Sequence, residues 1–149
     1  MRLSVLALSL FAATAVQGAP AEDHWGAPPS ADFERAAELV AAGKYDEALP
    51  ILAHQAEKSP GDADVFNLLG FSYRKTGDLA QASSNYQRAL RLSPNHLGAL
   101  EYQGKLFLML GDLAAAEKNL TRLTSLCEAG CAERDQLATA IAAAKAARD

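Results

Sequence analysis

Residues 63–96 read ADVFNLLGFSYRKTGDLAQASSNYQRALRLSPNH, and the spacing of Gly, Ala, aromatic residues and Pro within them decides the fold. Gly77 stands where a first helix must end, because a left-handed residue closes a helix cheaply only when it lacks a Cβ. Asp78 follows at once and can accept hydrogen bonds from the free N–H groups of a second helix. Pro94 stops that second helix, since Pro has no N–H and drives its predecessor out of helical angles. Gly70 lies in mid-helix, where Gly costs up to about 1 kcal/mol relative to Ala, so a small residue there points to backbone approach between helices. Ala82 offers the same close contact from the second helix, and Tyr73 and Tyr86 fill the space around it.

The unit recurs at a spacing of 34 residues, which is the mark of a helical repeat. Gly43, Gly77 and Gly111 align, as do Ala48, Ala82 and Ala116, and the small residues Ala36, Gly70 and Gly104. So do Leu39, Tyr73 and Phe107, then Leu52, Tyr86 and Leu120, then Pro60 and Pro94. Three repeats follow, at 29–62, 63–96 and 97–130. Asp112 repeats the cap of Asp78, whereas Lys44 replaces it in the first repeat and predicts a weaker cap. Pro50 falls inside the second helix of the first repeat and is expected to bend that helix rather than break it. The third repeat has no closing Pro. Residues 132–148 carry Leu137, Ile141 and Ala144 at helical spacing, so a seventh helix is expected to cap the stack. The expected fold class is all-α, an α-α superhelix of three helix pairs with a C-terminal capping helix.

The stretch Phe66, Leu69, Gly70, Tyr73, Gly77, Ala82, Tyr86, Ala89, Pro94 resembles the tetratricopeptide repeat signature at nearly every defining position. The third repeat departs from it at Gln103, and the first at Asp32 and Arg35, as suits a terminal unit whose outer side meets water. The resemblance covers roughly residues 30–127 and implies a concave surface built from the first helix of each repeat. Counting along those helices gives Phe33, Ala37 and Val40, then Asn67, Phe71, Arg74 and Lys75, then Glu101, Tyr102, Lys105, Leu108 and Met109 as candidates for partner contact. Repeats that grip a partner's terminal carboxylate use Lys, Arg and Asn at positions that here hold Phe33, Ala37, Leu68, Gly98 and Tyr102, so that clamp is absent.

Arg2 precedes an uncharged run from Leu3 to Val16, and small residues follow to Ala21. This reads as a secretory signal peptide over 1–21, too short to span a bilayer and cleaved near Ala21. Since no Cys precedes Cys127, a lipid-anchored form is not expected, and the mature chain is expected without a membrane anchor in the bacterial periplasm or medium. Residues 22–30 mix charge, Gly and Pro without periodicity and read as a disordered arm in which Trp25 is an unattached aromatic.

With 18 acidic against 14 basic residues the net charge is -4, a poor match to nucleic acid. Cys127 and Cys131 are the two cysteines, and an even count in an exported chain reads as a disulfide between them; a redox-active pair, or a soft-metal site with an outside ligand, is the alternative. His24, His54 and His96 are dispersed, so no metal site is expected, and no phosphate loop or nucleophile motif points to a cofactor or to catalysis. The sequence therefore predicts a non-enzymatic module that holds a segment of another protein in its groove. The large apolar residues of the cap, Leu137 and Ile141, are already needed against the third repeat, which predicts a monomer.

Overall fold

The computed structural model describes residues 29–147, so the expected signal peptide and the arm up to residue 28, Trp25 included, lie outside the described residues. Seven helices follow one another: α1 (Ala31–Ala41), α2 (Tyr45–Lys58), α3 (Ala63–Thr76), α4 (Leu79–Leu92), α5 (Leu97–Met109), α6 (Leu113–Leu126) and α7 (Ala132–Ala146). Among the described residues there is no strand. The helices pair as α1 with α2, α3 with α4 and α5 with α6, while α7 packs on both α5 and α6. The all-α repeat superhelix is as the spacing predicts.

Local chemistry sets the boundaries. Gly43, Gly77 and Gly111 adopt φ of 75°, 93° and 81°, the left-handed turn that closes each first helix. Asp78 Oδ1 accepts from the backbone N–H of Gln81 at 3.0 Å and Asp112 Oδ1 from that of Ala115 at 2.9 Å, so both second helices start on an aspartate. Lys44 makes no such side-chain bond, which matches the weaker cap expected of the first repeat. Pro50 sits within α2, which continues unbroken to Lys58. The capping helix ends at Ala146 with Ala147 as its cap, slightly short of the expected 148.

The mid-helix glycines do something other than the expected approach of two backbones. A Cβ built on Gly70 would lie 2.7 Å from the ring of Tyr86, and one built on Gly104 would lie 2.6 Å from a methyl group of Leu137. Each glycine is thus the floor of a socket for a large side chain from a later helix. Tyr86 and Leu137 are fully buried there, Ala82 in one cluster with Tyr86 and Ala116 in one with Leu137, while Ala36 and Ala48 are buried in the core of the first repeat. Leu137 is the anchor of the cap: it carries α7 onto α5 and joins Leu100, Ala116, Leu123 and Ile141 in one apolar cluster.

Successive repeats are also clasped by a contact that composition did not announce. Arg88 in α4 donates to the carbonyl of Pro60 at 3.0 Å, and Arg122 in α6 donates to the carbonyl of Pro94. Each arginine stands on the second helix of one repeat and grips the last turn of the repeat before it. The third repeat offers no such Pro, and there Arg134 of α7 donates to the carbonyl of Cys127 at 3.3 Å.

The two sockets differ in what surrounds them, and alanine separates them. The Tyr86 ring is rigid and wholly enclosed, so Gly70→Ala is expected to destabilise by about 1–2 kcal/mol even after the gain in helix propensity. Leu137 presents flexible methyl ends, so Gly104→Ala is expected to cost less. Urea midpoints of the two variants check the order, and a Gly70→Ala protein at least as stable as the parent would refute the socket.

Candidate functional site

The first helices α1, α3 and α5 lie side by side, and α7 continues the row beyond α5. On the face they build, the ring of Phe71 sits centrally. Tyr45 meets it edge-on with centroids 6.0 Å apart, and Tyr102 lies tilted against it at 4.8 Å. The Arg74 guanidinium carbon is 5.2 Å and the Lys75 Nζ 5.5 Å from the centroid of Phe71, within cation–π range. Lys105 Nζ stands 5.9 Å from the centroid of Tyr102. Arg74 is held further by its Nε, which donates to the Tyr86 hydroxyl at 3.4 Å, and by its Nη1, 3.9 Å from the sulfur of Met109.

Burial tunes the phenols. Tyr86 is pushed up to about 12, mainly because its buried ring would hold an unsolvated phenolate, although the Arg74 guanidinium pulls the other way. Tyr102 is raised by burial and then by the negative charge of Glu101. Glu101 itself is only 2% exposed and lies under the edge of α7. A buried carboxylate must be paired, and Lys105 one turn along α5 supplies the charge at 2.5 Å, its Nζ also donating to Gln136 Oε1 at 3.2 Å.

Of the residues the sequence nominated for partner contact, the structure brings together Phe71, Arg74, Lys75, Tyr102, Lys105 and Met109. Six others are not part of this group, among them Ala37, Val40, which packs on the core of α1, α2 and α3, and Leu108, which packs on that of α5, α6 and α7. Phe33 packs against the apolar cluster between α1, α2 and α3. Asn67 is 8% exposed, because Gly98 at the start of α5 closes over its amide, and Glu101 is sealed by the cap as just described. Neither is a surface contact. Tyr45, which the sequence did not nominate, proves to be part of the aromatic row. A second buried network was missed: Asn119 donates to the Leu100 carbonyl at 3.1 Å and to Gln103 Oε1 at 3.0 Å, so Gln103, the departure from the repeat pattern, has its partner on α6. Part of the signal was there, since Gln103 stands where the second repeat has Leu69, whereas Asn119 aligns with Asn85 and gave none.

Cys127 and Cys131 stand at the α6–α7 corner with Cα atoms 5.7 Å apart, inside the span a disulfide bridges, and Gly130 between them has φ 97°. Cys127 is 8% exposed. Among the described residues no three His, Cys, Asp or Glu side chains converge as a metal site would require, and no helix is long and apolar enough to cross a membrane.

Helix hairpins stacked through small-residue sockets, with an open aromatic face along the first helices, define a helical-repeat solenoid of the kind that serves protein–protein interaction. The tetratricopeptide repeat model matches residues 61–129, so the second and third helix pairs are tetratricopeptide repeats. It is 34% identical over 95 residues to cellulose synthase 2 operon protein C of Komagataeibacter xylinus, which spans 64% of this chain and 7% of that protein. It is 35% identical over 82 residues to a probable biofilm formation methyltransferase, WspC, of Pseudomonas putida, 55% of this chain and 19% of that one. The chain therefore spans a small part of these relatives. Among solved structures, PcrH in complex with the chaperone binding region of PopD has a TM-score of 0.67 at 26% identity, covering 79% of this chain and 91% of that one. The first repeat domain of Spaghetti (RPAP3), bound to an HSP90 peptide, has a TM-score of 0.68 at 23% identity, covering 77% and 90%.

The spacing of the groove between α3 and α5 is set at their N-terminal ends. His96 Nδ1 accepts from the Ala99 N–H at 3.2 Å and so caps α5, which leaves its Nε2 to donate to Asp64 Oδ1 on α3 at 2.9 Å. That hydrogen bond holds the Asp64 carboxyl below its usual 3.8, with burial opposing. A depressed carboxyl stabilises the fold above its unfolded value and loses that contribution as pH falls through its folded value. Asp64→Asn is thus expected to lower the urea midpoint at neutral pH and to flatten its decline below pH 3.8. Midpoints measured against pH for both proteins check it, and parallel acid limbs would disprove the pairing.

Proposed function

We propose that the chain is a non-enzymatic adaptor of the bacterial periplasm that holds a segment of another protein along the face of α1, α3 and α5. The observation that carries this reading is the row Tyr45, Phe71, Tyr102 with Arg74 and Lys75 over its central ring, an aromatic surface with charged tips as protein interfaces have. The likeness to PcrH, whose structure holds a region of PopD, supports a peptide segment as the occupant. The uncharged run of residues 3–16 supports export. The buried carboxylate of this face, Glu101, is paired with Lys105, which supports binding rather than acid–base chemistry there. The relative named as a methyltransferase is matched over 19% of its length, which leaves that activity outside the comparison.

The reading is tested by placing a photo-crosslinking residue at Lys75, on the groove, or at Lys118, on the exposed side of α6, in cells that export the full chain. One protein is expected to be trapped from position 75 and not from 118, on a chain whose first residue is Glu22. Equal trapping from both positions would end the groove assignment.

The cysteines are proposed as an oxidised staple that fixes α7 to the third repeat. The burial of Cys127 supports this over a redox role, which needs an accessible sulfur. In the chain-entropy model so short a loop stabilises by roughly 2 kcal/mol. Cys131→Ser is expected to lose about that much and to speed amide exchange in α7 before the other helices, and unchanged exchange in α7 would show that the staple is idle.

A further inference from the structure

Five of the twelve Lys and Arg side chains among the described residues pair with a carboxylate. Lys44 pairs with Glu47, Lys58 with Asp32, Lys105 with Glu101, Arg134 with Asp135 and Lys145 with Glu117. Arg88 and Arg122 are committed to the prolyl carbonyls. Arg35, Arg91 and Lys118 stand singly. Arg74 and Lys75 are different: they are adjacent, both lie over the ring of Phe71, and no described carboxylate is within ion-pair distance of either. In a chain of net charge -4 this leaves a small positive site in the middle of the groove.

The site is prepared for a carboxylate. The Tyr86 hydroxyl and the Phe71 ring hold the Arg74 guanidinium in place, so little side-chain entropy remains to be lost when an anion binds. A planar guanidinium offers paired N–H groups to a carboxylate, and Lys75, exposed beside it, adds charge. Met109 lies against the guanidinium and is 53% exposed, a large flexible apolar side chain open to solvent at the same lip. An anion without an apolar neighbour would leave Met109 wet, and an apolar segment without an anion would bury unpaired charge. Two cations are too few for a phosphate backbone.

We propose that the lip formed by Phe71, Arg74, Lys75 and Met109 takes an internal acidic segment of a partner protein, one in which a Glu or Asp side chain adjoins a large apolar one. This rests on the groove reading above and names the chemistry of its occupant. The carboxylate sits on Arg74 and Lys75, and the apolar side chain covers Met109 and the edge of Phe71.

The test is fluorescence anisotropy of the mature chain with three short synthetic peptides: one of alternating Glu and Leu blocked at both ends, its Gln counterpart, and the acidic peptide with a free terminal carboxylate. The blocked acidic peptide is expected to bind at least about 5-fold more tightly than the Gln peptide and to weaken as salt rises. Lys75→Glu, a change at an exposed residue whose folding circular dichroism verifies, is expected to weaken the acidic peptide by about 5-fold or more and to leave the Gln peptide unchanged. Met109→Glu should weaken the acidic peptide as well. Equal binding of acidic and Gln peptides, both weakened by Met109→Glu, would overturn the acidic assignment and leave the groove standing. Binding indifferent to both substitutions would overturn the groove itself. Much tighter binding of the free-carboxylate peptide would assign the site to a chain terminus and overturn the internal segment. Affinity that rises sharply on removing residues 22–29 would make the chain's own arm the occupant and overturn the partner.

Discussion

The seating of a large side chain on a glycine of a first helix is the contact from which the rest of the molecule follows. At Gly70 the absent Cβ admits the ring of Tyr86, and full burial of that ring obliges its hydroxyl to find a donor or acceptor. Arg74, one turn beyond Gly70 on α3, supplies it. The same hydrogen bond aims the guanidinium across the groove, over Phe71 and against Met109. A packing requirement in the seam between α3 and α4 therefore places the most distinctive charge of the open face. At Gly104 the equivalent seat is taken by Leu137, so that the helix which ends the array uses the same device as the helices within it.

The ends of the repeats are held by a second, weaker device. Arg88 and Arg122 recur at the repeat spacing and bond to the carbonyls of Pro60 and Pro94, whose lone pairs are free because the helices have stopped there. Where the closing Pro is missing, the corner carries Cys127, Gly130 and Cys131, with Arg134 on the Cys127 carbonyl. The junction most in need of restraint is thus the one where the chain leaves the repeat pattern.

Nearly all of the fold was legible in the residues, because its determinants are local. A left-handed Gly, an Asp at the next helix start and a Pro beyond its end act within a few positions, and repetition triples the signal. The candidate site was legible only in part. Counting along α3 and α5 places Phe71, Arg74, Lys75, Tyr102, Lys105 and Met109 on one face, but periodicity is blind to what a later helix covers. Glu101 and Asn67 lie on the counted stripe and are buried by the arrival of α7 and of the α5 N-terminus. Tyr45 aligns at the repeat spacing with Leu79 and Leu113, a column that is aromatic nowhere else, although its ring reaches Phe71. The Gln103–Asn119 pair needed the distance between α5 and α6, which no spacing contains.

The contrast between Lys105 and the Arg74–Lys75 pair shows why recognition concentrates on α3. Lys105 stands on the helix that the cap covers, and the carboxylate buried there with it consumes its charge. Moving such a pair apart to meet a ligand would strand Glu101 in a medium that cannot solvate it, at a cost of several kcal/mol. Arg74 and Lys75 stand on the central repeat, which has a full helix pair on either side and no cap across its face. Their charges are therefore uncommitted for a reason of position: the repeat stack protects the α3–α4 seam from water, while the one carboxylate within α3, Asp64, stands at its far N-terminal end and is paired with His96. The outermost repeats cannot offer this combination, since one lies under α7 and the other, with Lys44 in place of a capping aspartate, has a less firmly started second helix.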